Sequence, residues 1–448
     1  MTSLISTLKH TLTQRLREHT PATLLIGLSG GVDSVVLLHA LVGLRDEQAM
    51  ELPPLAAMHI NHGISQNAAD WQAFCETLCN VWDVPFHCAE VTVEHTARTS
   101  LEATARDKRY GALCAQAMSL SAAVLTAHHS DDQAETVLLQ LKRGAGPKGL
   151  SGMAESSRLN EVDIWRPLLG LSRVEIERYA SDHQLTWVED ESNSDTRYDR
   201  NFLRQTLLPA LQERWPGFTR TVTRSAALCA SQQSLLEEVC DERLSSLLVD
   251  DGAIQIAGLL AYSEAWQQAL IRRWIEMRAL PMPSNAQLEQ ILRIPYAAAG
   301  RQPAVVIGQY SVRRFRDKLY IVNNKQDCDA TQLTDAMAVA VDKPVSIDGM
   351  TISLSFEASD EAEQLFTRDP TQLAIRPAPL TLPVKPRGEQ HHKPLKQWCK
   401  LWNMPPWQRE SLWLLFDNDE AVALLIPDTL KIVPLGREEG QRVYLSCK

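Results

Sequence analysis

The sequence predicts an α/β protein: a doubly wound, mainly parallel sheet, followed by a helical central domain and a small mixed α/β C-terminal domain. Three observations carry the prediction. From Thr23 a short apolar run meets a glycine turn and then apolar residues at helical spacing, TLLIGLSGGVDSVVLLHALVGL. Further strand-like runs then alternate with helical stretches, the pattern of parallel strands joined by crossover helices. Beyond residue 215 long helical periodicity takes over, is broken by prolines, and gives way to short alternating runs.

In chain order, the strand beginning at Thr23 is followed by LAAMHINHGIS, a strand and polar loop, and by PFHCAEVTV, a third strand. AAVLTAHHSDDQAETVLLQLKRGAG reads as strand then helix. Helical stretches lie around Asp70 to Trp82 and Leu101 to Met118. Ser172 and Glu175 form a capping box that opens another helix. Long helices are predicted from Thr219 to Leu248 and from Tyr262 to Ala279. Pro281, Pro283 and Pro295 break that block before the strands AVVIGQYSVRRF and KLYIVNN. A linker near Asn324 to Ala340 leads to the last unit.

The 448 residues exceed what one core usually organises, and the expected division is 1–215, 216–330 and 331–448. Hydrophobic residues at 44% and charged residues at 22% exclude a disordered or disulfide-scaffold class. The nine cysteines form no CxxC pair, which predicts reduced thiols rather than a zinc site. The N-terminal residues lack the apolar core of a signal peptide, and no run is long enough to span a membrane. A cytoplasmic protein is therefore expected. The net charge of -10 argues against a nucleic-acid partner, but basic residues cluster at Arg197 to Arg224, Arg313 to Lys318 and Lys385 to Lys400. Such patches can contact phosphates or form solvated faces.

Ser29, Gly30, Gly31, Val32, Asp33 and Ser34 lie between strand and helix. Glycines admit close backbone approach, a helix start offers free N–H groups, and the serines add hydroxyls, so the segment is a candidate phosphate cradle. It lacks the endings of the Walker A loop and of the dinucleotide fingerprint. In a second constellation His129 precedes a helix on which Asp132 and Glu135, three apart, share a face. These carboxylates suit magnesium, the ammonium of an amine, or simply the helix dipole. Arg106 and Arg109 are likewise three apart, suited to phosphoryl charge or to an exposed salt-bridged face. His59 and His62 have no partner at ligand spacing and read as neutral loop histidines. Gly144 reads as a helix C-cap. Trp398, Trp402, Trp407 and Trp413 read as the core of a small domain rather than stacking platforms.

The SGGVDS segment resembles the pyrophosphate loop of the N-type ATP pyrophosphatases. Further segments are similar to the tRNA(Ile)-lysidine synthetase family: His59 to Gly63, Arg143 to Met153, Arg166-Pro167-Leu168-Leu169, Glu189 to Asn193 and Tyr198 to Arg204, and more loosely Lys393 to Gln397 and Pro405 to Arg409. The resemblance implies an adenine nucleotide alpha hydrolase-like, Rossmann-like fold. It implies ATP and Mg2+ as cofactors, with Asp33 and Asp132 as candidate metal ligands. The implied partners are L-lysine and a tRNA(Ile) with a CAU anticodon, with a homodimer as an admissible assembly. The implied reaction adenylates the first anticodon cytidine at its C2 oxygen, after which the lysine ε-amine displaces AMP. Catalytic roles then fall to Asp33, Arg106, Arg109, His129, Asp132 and Glu135. A tRNA thiolase, a small-molecule ligase and a non-catalytic tRNA binder are the alternatives. The first lacks suitably spaced cysteines, the second needs no basic extension, and the third leaves SGGVDS unexplained.

Overall fold

In this computed structural model, residues 4–447 are described except 62, 64–66, 92–100, 190–194, 250–251, 299–300, 302, 325–336, 342, 348–349, 359–361 and 437–438. His62, the 190–193 part of the Glu189 to Asn193 motif and most of the expected linker lie outside the described residues. The chain forms two compact units, 1–236 and 237–448.

The first unit begins with α1 (Leu4–Glu18), β1 (Thr23–Gly27), α2 (Val32–Asp46), β2 (Leu55–Asn61), α3 (Ala68–Val81) and β3 (Phe86–Glu90). It continues through α4 (Leu101–Ser119), β4 (Ala122–Leu125), α5 (Ser130–Lys142), α6 (Pro147–Leu150), β5 (Ser156–Leu159), β6 (Val162–Trp165) and α7 (Arg173–Asp182). The sheet order is β3-β2-β1-β4-β6-β5, all parallel except β5, which pairs antiparallel with β6.

Both faces of this sheet are covered, which is why its central strands are continuous apolar runs. Leu24 and Ile26 of β1 face a core with α1, α2, α3 and α7, while Leu25 faces a second core with Tyr110, Leu113 and Ala117 of α4. The period-2 alternation of strand side chains thus feeds two cores from one strand. The crossovers leave β1 toward β2 on one side, while β4 lies on the other. A crevice therefore opens at the carboxyl ends of β1 and β4, where a doubly wound sheet collects ligands.

Short helices α8 (Asp199–Phe202) and α9 (Leu208–Arg214) flank a π-helical turn, Leu203–Leu207. The 30-residue helix α10 (Phe218–Leu247) crosses the division between the units.

The second unit contains α11 (Ile256–Leu260), α12 (Glu264–Glu276) and α13 (Asn285–Arg293), packed with an antiparallel sheet. Its strands are β7 (Ile254–Gln255), β8 (Ala304–Ile307), β9 (Tyr310–Phe315) and β10 (Lys318–Asn323), in the order β7-β10-β9-β8. Strands β8, β9 and β10 fall within the expected strand runs AVVIGQYSVRRF and KLYIVNN.

Among the described residues, 337–447 form three further antiparallel sheets, of five, four and two strands, with α14 (Leu395–Leu401) and α15 (Pro406–Glu410) beside them. Trp398, Trp407 and Trp413 are buried there, as expected of core residues. Arg313 and Arg314 turn inward: Arg313 donates to Ser311 Oγ (2.8 Å) and Asn324 Oδ1 (2.9 Å), and Arg314 donates to the carbonyls of Pro295 (2.7 Å) and Ala297 (3.1 Å). Lys396 and Lys400 on α14 are exposed. No helix among the described residues is long and apolar enough to cross a membrane.

Candidate active site

The first wall of the crevice is the β1–α2 loop. Gly30 turns the chain at φ +88, and a Cβ there would meet Val188 Cγ2 at 2.7 Å and Cys75 Sγ at 3.2 Å. Gly31 caps α2 with extended backbone and has only Ser29 Oγ, at 3.6 Å, near its missing Cβ. Ser34 is buried; its hydroxyl donates to the Gly31 carbonyl (3.0 Å) and accepts from the Ser29 N–H (3.2 Å). The serine at the end of the motif therefore holds the loop's shape, while exposed Ser29 remains at its surface. Buried His59 anchors the loop from below, its Nδ1 lying 2.9 Å from the Leu28 carbonyl. Burial lowers the His59 pKa despite that bond, so the ring is the neutral histidine expected.

The second wall is the start of α5. Asp132 Oδ2 accepts the His129 backbone N–H (3.1 Å), fixing the helix start. Three aspartates surround the buried His129 ring: Nε2 lies 3.3 Å from Asp132 Oδ2 and 3.7 Å from Asp33 Oδ1, and Nδ1 lies 3.6 Å from Asp131 Oδ2. Burial opposes its charge, but these carboxylates outweigh burial and raise the pKa. Burial also opposes the Asp132 anion, yet His129, His128 and Arg204 hold its pKa down. At Asp33 burial prevails over His129 and Arg173 and the pKa rises. Next to them His128, hydrogen-bonded to Thr126 Oγ1 (2.9 Å), is pushed down to about 3, chiefly by burial.

Two arginines complete the cluster, and neither role was readable locally. Arg173, the first residue of α7, donates from Nη1 to Asp33 Oδ2 (2.7 Å) and from its backbone N–H to Asp131 Oδ2 (2.9 Å). The Ser172–Glu175 capping box predicts where α7 begins, but not what its first side chain meets. Arg204 was legible only as one of a basic cluster. It lies in the π-helical turn, an element frequent at functional sites, and donates to Asp132 Oδ1 (2.8 Å) and Glu135 Oε1 (2.7 Å). Glu135 is fully buried and also faces Arg200 at 3.3 Å. Burial raises the Glu135 pKa in spite of Arg204. Glu135 is thus buried against Arg204 in the same cluster.

Arg106 and Arg109 do share a face of α4, their guanidiniums 5.6 and 5.5 Å from the Tyr110 ring centre. Arg109 is close enough to Asp132 to interact electrostatically, although burial lowers its own pKa. Gly144 ends α5 at φ +68 as a C-cap glycine does. The glycine-rich stretch beyond it is tied back: Gln133 exchanges two hydrogen bonds with the Met153 backbone, 2.9 and 2.7 Å.

The carboxylates present fit a magnesium ion shared with phosphates. Asp33 Oδ1 is buried without a hydrogen-bond partner, and Asp132 approaches the same histidine nitrogen. Among the described residues no group of three or more His, Cys, Asp or Glu is arranged to hold a metal alone. Magnesium typically takes one or two carboxylates and fills its shell with phosphate oxygens and water.

A strand-end glycine loop, a buried aspartate oxygen without a hydrogen bond and a parallel sheet define an ATP-using protein of the PP-loop class, and residues 4–211 match the family described as a PP-loop domain. Residues 254–320 match the TilS substrate binding domain and residues 373–425 the TilS substrate C-terminal domain. The chain is 40% identical over 405 residues to tRNA(Ile)-lysidine synthase of Serratia proteamaculans, covering 90% of each chain. It is 37% identical over 419 residues to that of Photorhabdus laumondii, covering 93% of this chain and 92% of the relative. It therefore belongs to the tRNA(Ile)-lysidine synthase family. Among solved structures, the U34-tRNA thiolase NcsA from Methanococcus maripaludis aligns with a TM-score of 0.42 and 18% identity over 50% of this chain and 78% of that one.

Proposed function

We propose that this chain is an ATP-dependent ligase that converts the first anticodon cytidine of a CAU-bearing tRNA(Ile) to lysidine, changing codon reading from AUG to AUA. The cytidine C2 oxygen attacks the α-phosphorus of ATP and pyrophosphate leaves. The ε-amine of L-lysine then attacks C2, and AMP departs with the oxygen. The observation that carries the reading is the meeting of the SGGVDS loop with the acidic start of α5 across the crevice, where His129 bridges Asp33 and Asp132.

The β1–α2 loop binds the pyrophosphate portion through Ser29 and the backbone of Gly30 to Ser34. Asp33 and Asp132 would hold magnesium, which would offset phosphate charge. Arg109, and Arg106 beside it, face the negative charge that develops at phosphorus. Asp132 orients the lysine amine, which attacks only after losing its proton. Glu135 is a positioning residue acting through Arg204, and His129 keeps the aspartates at fixed separation. Segments 1–215, 216–330 and 331–448 serve as the catalytic, central tRNA and C-terminal tRNA parts. Cytoplasmic location and homodimeric assembly complete the proposal, checked by fractionation and light scattering.

The test is transfer of radiolabelled lysine to tRNA(Ile) with ATP present. Label is expected in the CAU transcript and not in one whose first anticodon base is changed. Absence of label in both refutes the proposal.

A further inference from the structure

The second unit holds a groove of about 1210 Å3 that has no part in the site so far described. Its floor is one face of the β7-β10-β9-β8 sheet. Val312 and Leu319 enter the helical core, so strand alternation turns Lys318, Tyr320 and Val322 to the opposite face, and Gln255 joins them as the register partner of Lys318. The walls include Trp407 and Gln408 of α15 and the turn Pro427–Thr429, continued by Leu430 and Lys431. Two features set the groove apart. Arg278, Lys318 and Lys431 give it three cations, and no carboxylate is among the described residues that line it, on a chain whose net charge is -10. The turn, moreover, is strained. Leu430 has a left-handed backbone at φ +48 with its apolar side chain 48% exposed, and the Thr429 hydroxyl is buried without a hydrogen-bond partner. Strain of this kind concentrates at ligand clamps and active sites.

We propose that this groove holds unpaired nucleotides at the single-stranded 3′ end of the tRNA, an assignment that rests on the reading above. Single strands are bound where an aromatic ring takes the face of a base and neighbouring cations take the phosphates. Tyr320 offers the ring, its far side held against Trp407, edge to face, with 5.4 Å between ring centres. Lys318 lies two residues before it on the same face, and Lys431 is exposed at the rim. Arg278 is fixed by the carbonyls of Gly252 and Trp274, which sets its guanidinium in the wall. Leu430 adds apolar surface for a second base, and the amides of Gln255 and Gln408 suit base edges. A duplex offers none of these contacts, because its bases are stacked on one another and its pairing edges are used. The volume exceeds the range of about 300–1,000 Å3 usual for one small molecule, which leaves room for more than one nucleotide. The anticodon already belongs to the crevice of the first unit. Outside its loops, the single strand that a tRNA offers is the stretch beyond its acceptor stem.

The test compares intact tRNA(Ile) with the same transcript trimmed of its unpaired 3′ nucleotides, in wild type, Tyr320→Leu, Leu430→Gly and Lys431→Glu. Dissociation constants are read at one salt concentration, with lysine attachment and thermal melts alongside. Wild type is expected to bind the trimmed transcript at least about fivefold more weakly, the worth of one stacked base. Each variant should bind the intact tRNA about 5- to 100-fold more weakly and should treat the two transcripts alike. Tyr320→Leu disturbs the packing of Trp407, and Leu430→Gly guards against a loss of folding. Glycine accepts φ +48 and the side chain removed is half exposed, so this variant should melt at or above the wild-type temperature while its affinity falls. Equal binding of the two transcripts by wild type overturns the assignment. So do variants that weaken both transcripts by the same factor, which would place the groove on another part of the RNA. If wild type attaches lysine to neither transcript, the proposed function itself fails. Attachment to both, with no affinity lost on trimming, sinks only the groove.

Discussion

Replacing Gly30 with alanine attacks the phosphate loop at its tightest point. The new methyl would lie 2.7 Å from Val188 Cγ2 and 3.2 Å from Cys75 Sγ. Val188 is partly exposed and can rotate away, but Cys75 is fully buried beneath the loop. The loop cannot simply shift, because the Gly30 carbonyl accepts the Val188 N–H at 3.0 Å. Holding a side-chain-bearing residue at φ +88 costs about 1–2 kcal/mol, and the residual overpacking about 1–2 kcal/mol more, for a total loss of about 2–4 kcal/mol. Gly31→Ala is the control. Its backbone is extended and its nearest neighbour stands at 3.6 Å, so folding should change by less than about 0.5 kcal/mol. ATP affinity should nonetheless fall, because the methyl faces the space a phosphate enters. Urea unfolding and equilibrium ATP binding on both variants separate the two effects. A Gly30→Ala protein as stable as wild type would refute the steric reasoning.

Asp33→Ala should reduce pyrophosphate release by roughly 10²–10³-fold while tRNA affinity in a filter assay stays unchanged, because the loop handles ATP. A pH series tests the His129 cluster. With its folded pKa raised above 6.5, His129 contributes stability that is fully present below pH 6.5 and lost as pH rises through the folded value. Burial opposes the Asp131 anion, but His129 and the Arg173 N–H hold it at about 2, so its contribution is present above pH 3.8 and lost as pH falls toward 2. Thermal melts of His129→Gln should lack the alkaline loss; an unchanged alkaline limb would contradict the assignment. Replacing all nine cysteines should leave lysine attachment intact in a folded variant, since burial pushes Cys75 and Cys79 up to about 12 and no thiolate is used. Loss of turnover in that variant would favour thiolation. Lys396→Glu with Lys400→Glu should weaken tRNA binding and lower its salt slope by about two, and an identical slope would exclude α14 from the interface.

The strand, loop and helix order of the first unit was legible because its strands are buried on both faces and its loops announce themselves with glycine and capping residues. The β5–β6 hairpin was not. Its edge strand is half-exposed, and its turn places Asn160 and Glu161 at positive φ without the glycine that usually signals such a turn. The strands of residues 337–377 were missed, although Met350–Ser355 alternates buried and half-buried positions along its length. In the site, spacing found Asp132 and Glu135, which share a helix. It could not find Arg173 against Asp33, 140 residues apart, or Arg204 against Glu135, 69 apart, since tertiary folding alone makes these pairs. The same pairing places Glu135, found from its spacing to Asp132, in a buried position against Arg204. In the basic cluster Arg313 to Lys318, Arg313 and Arg314 are engaged by Ser311, Asn324 and the carbonyls of Pro295 and Ala297, contacts that composition does not reveal.

Mass analysis of nucleosides digested from tRNA(Ile), after incubation with ATP, L-lysine and this protein, tests the central claim most directly. The account predicts that the first anticodon cytidine gains the mass of lysine less water, with one AMP and one pyrophosphate released per modified base. An unmodified cytidine, or a base that has gained sulfur instead, would contradict it.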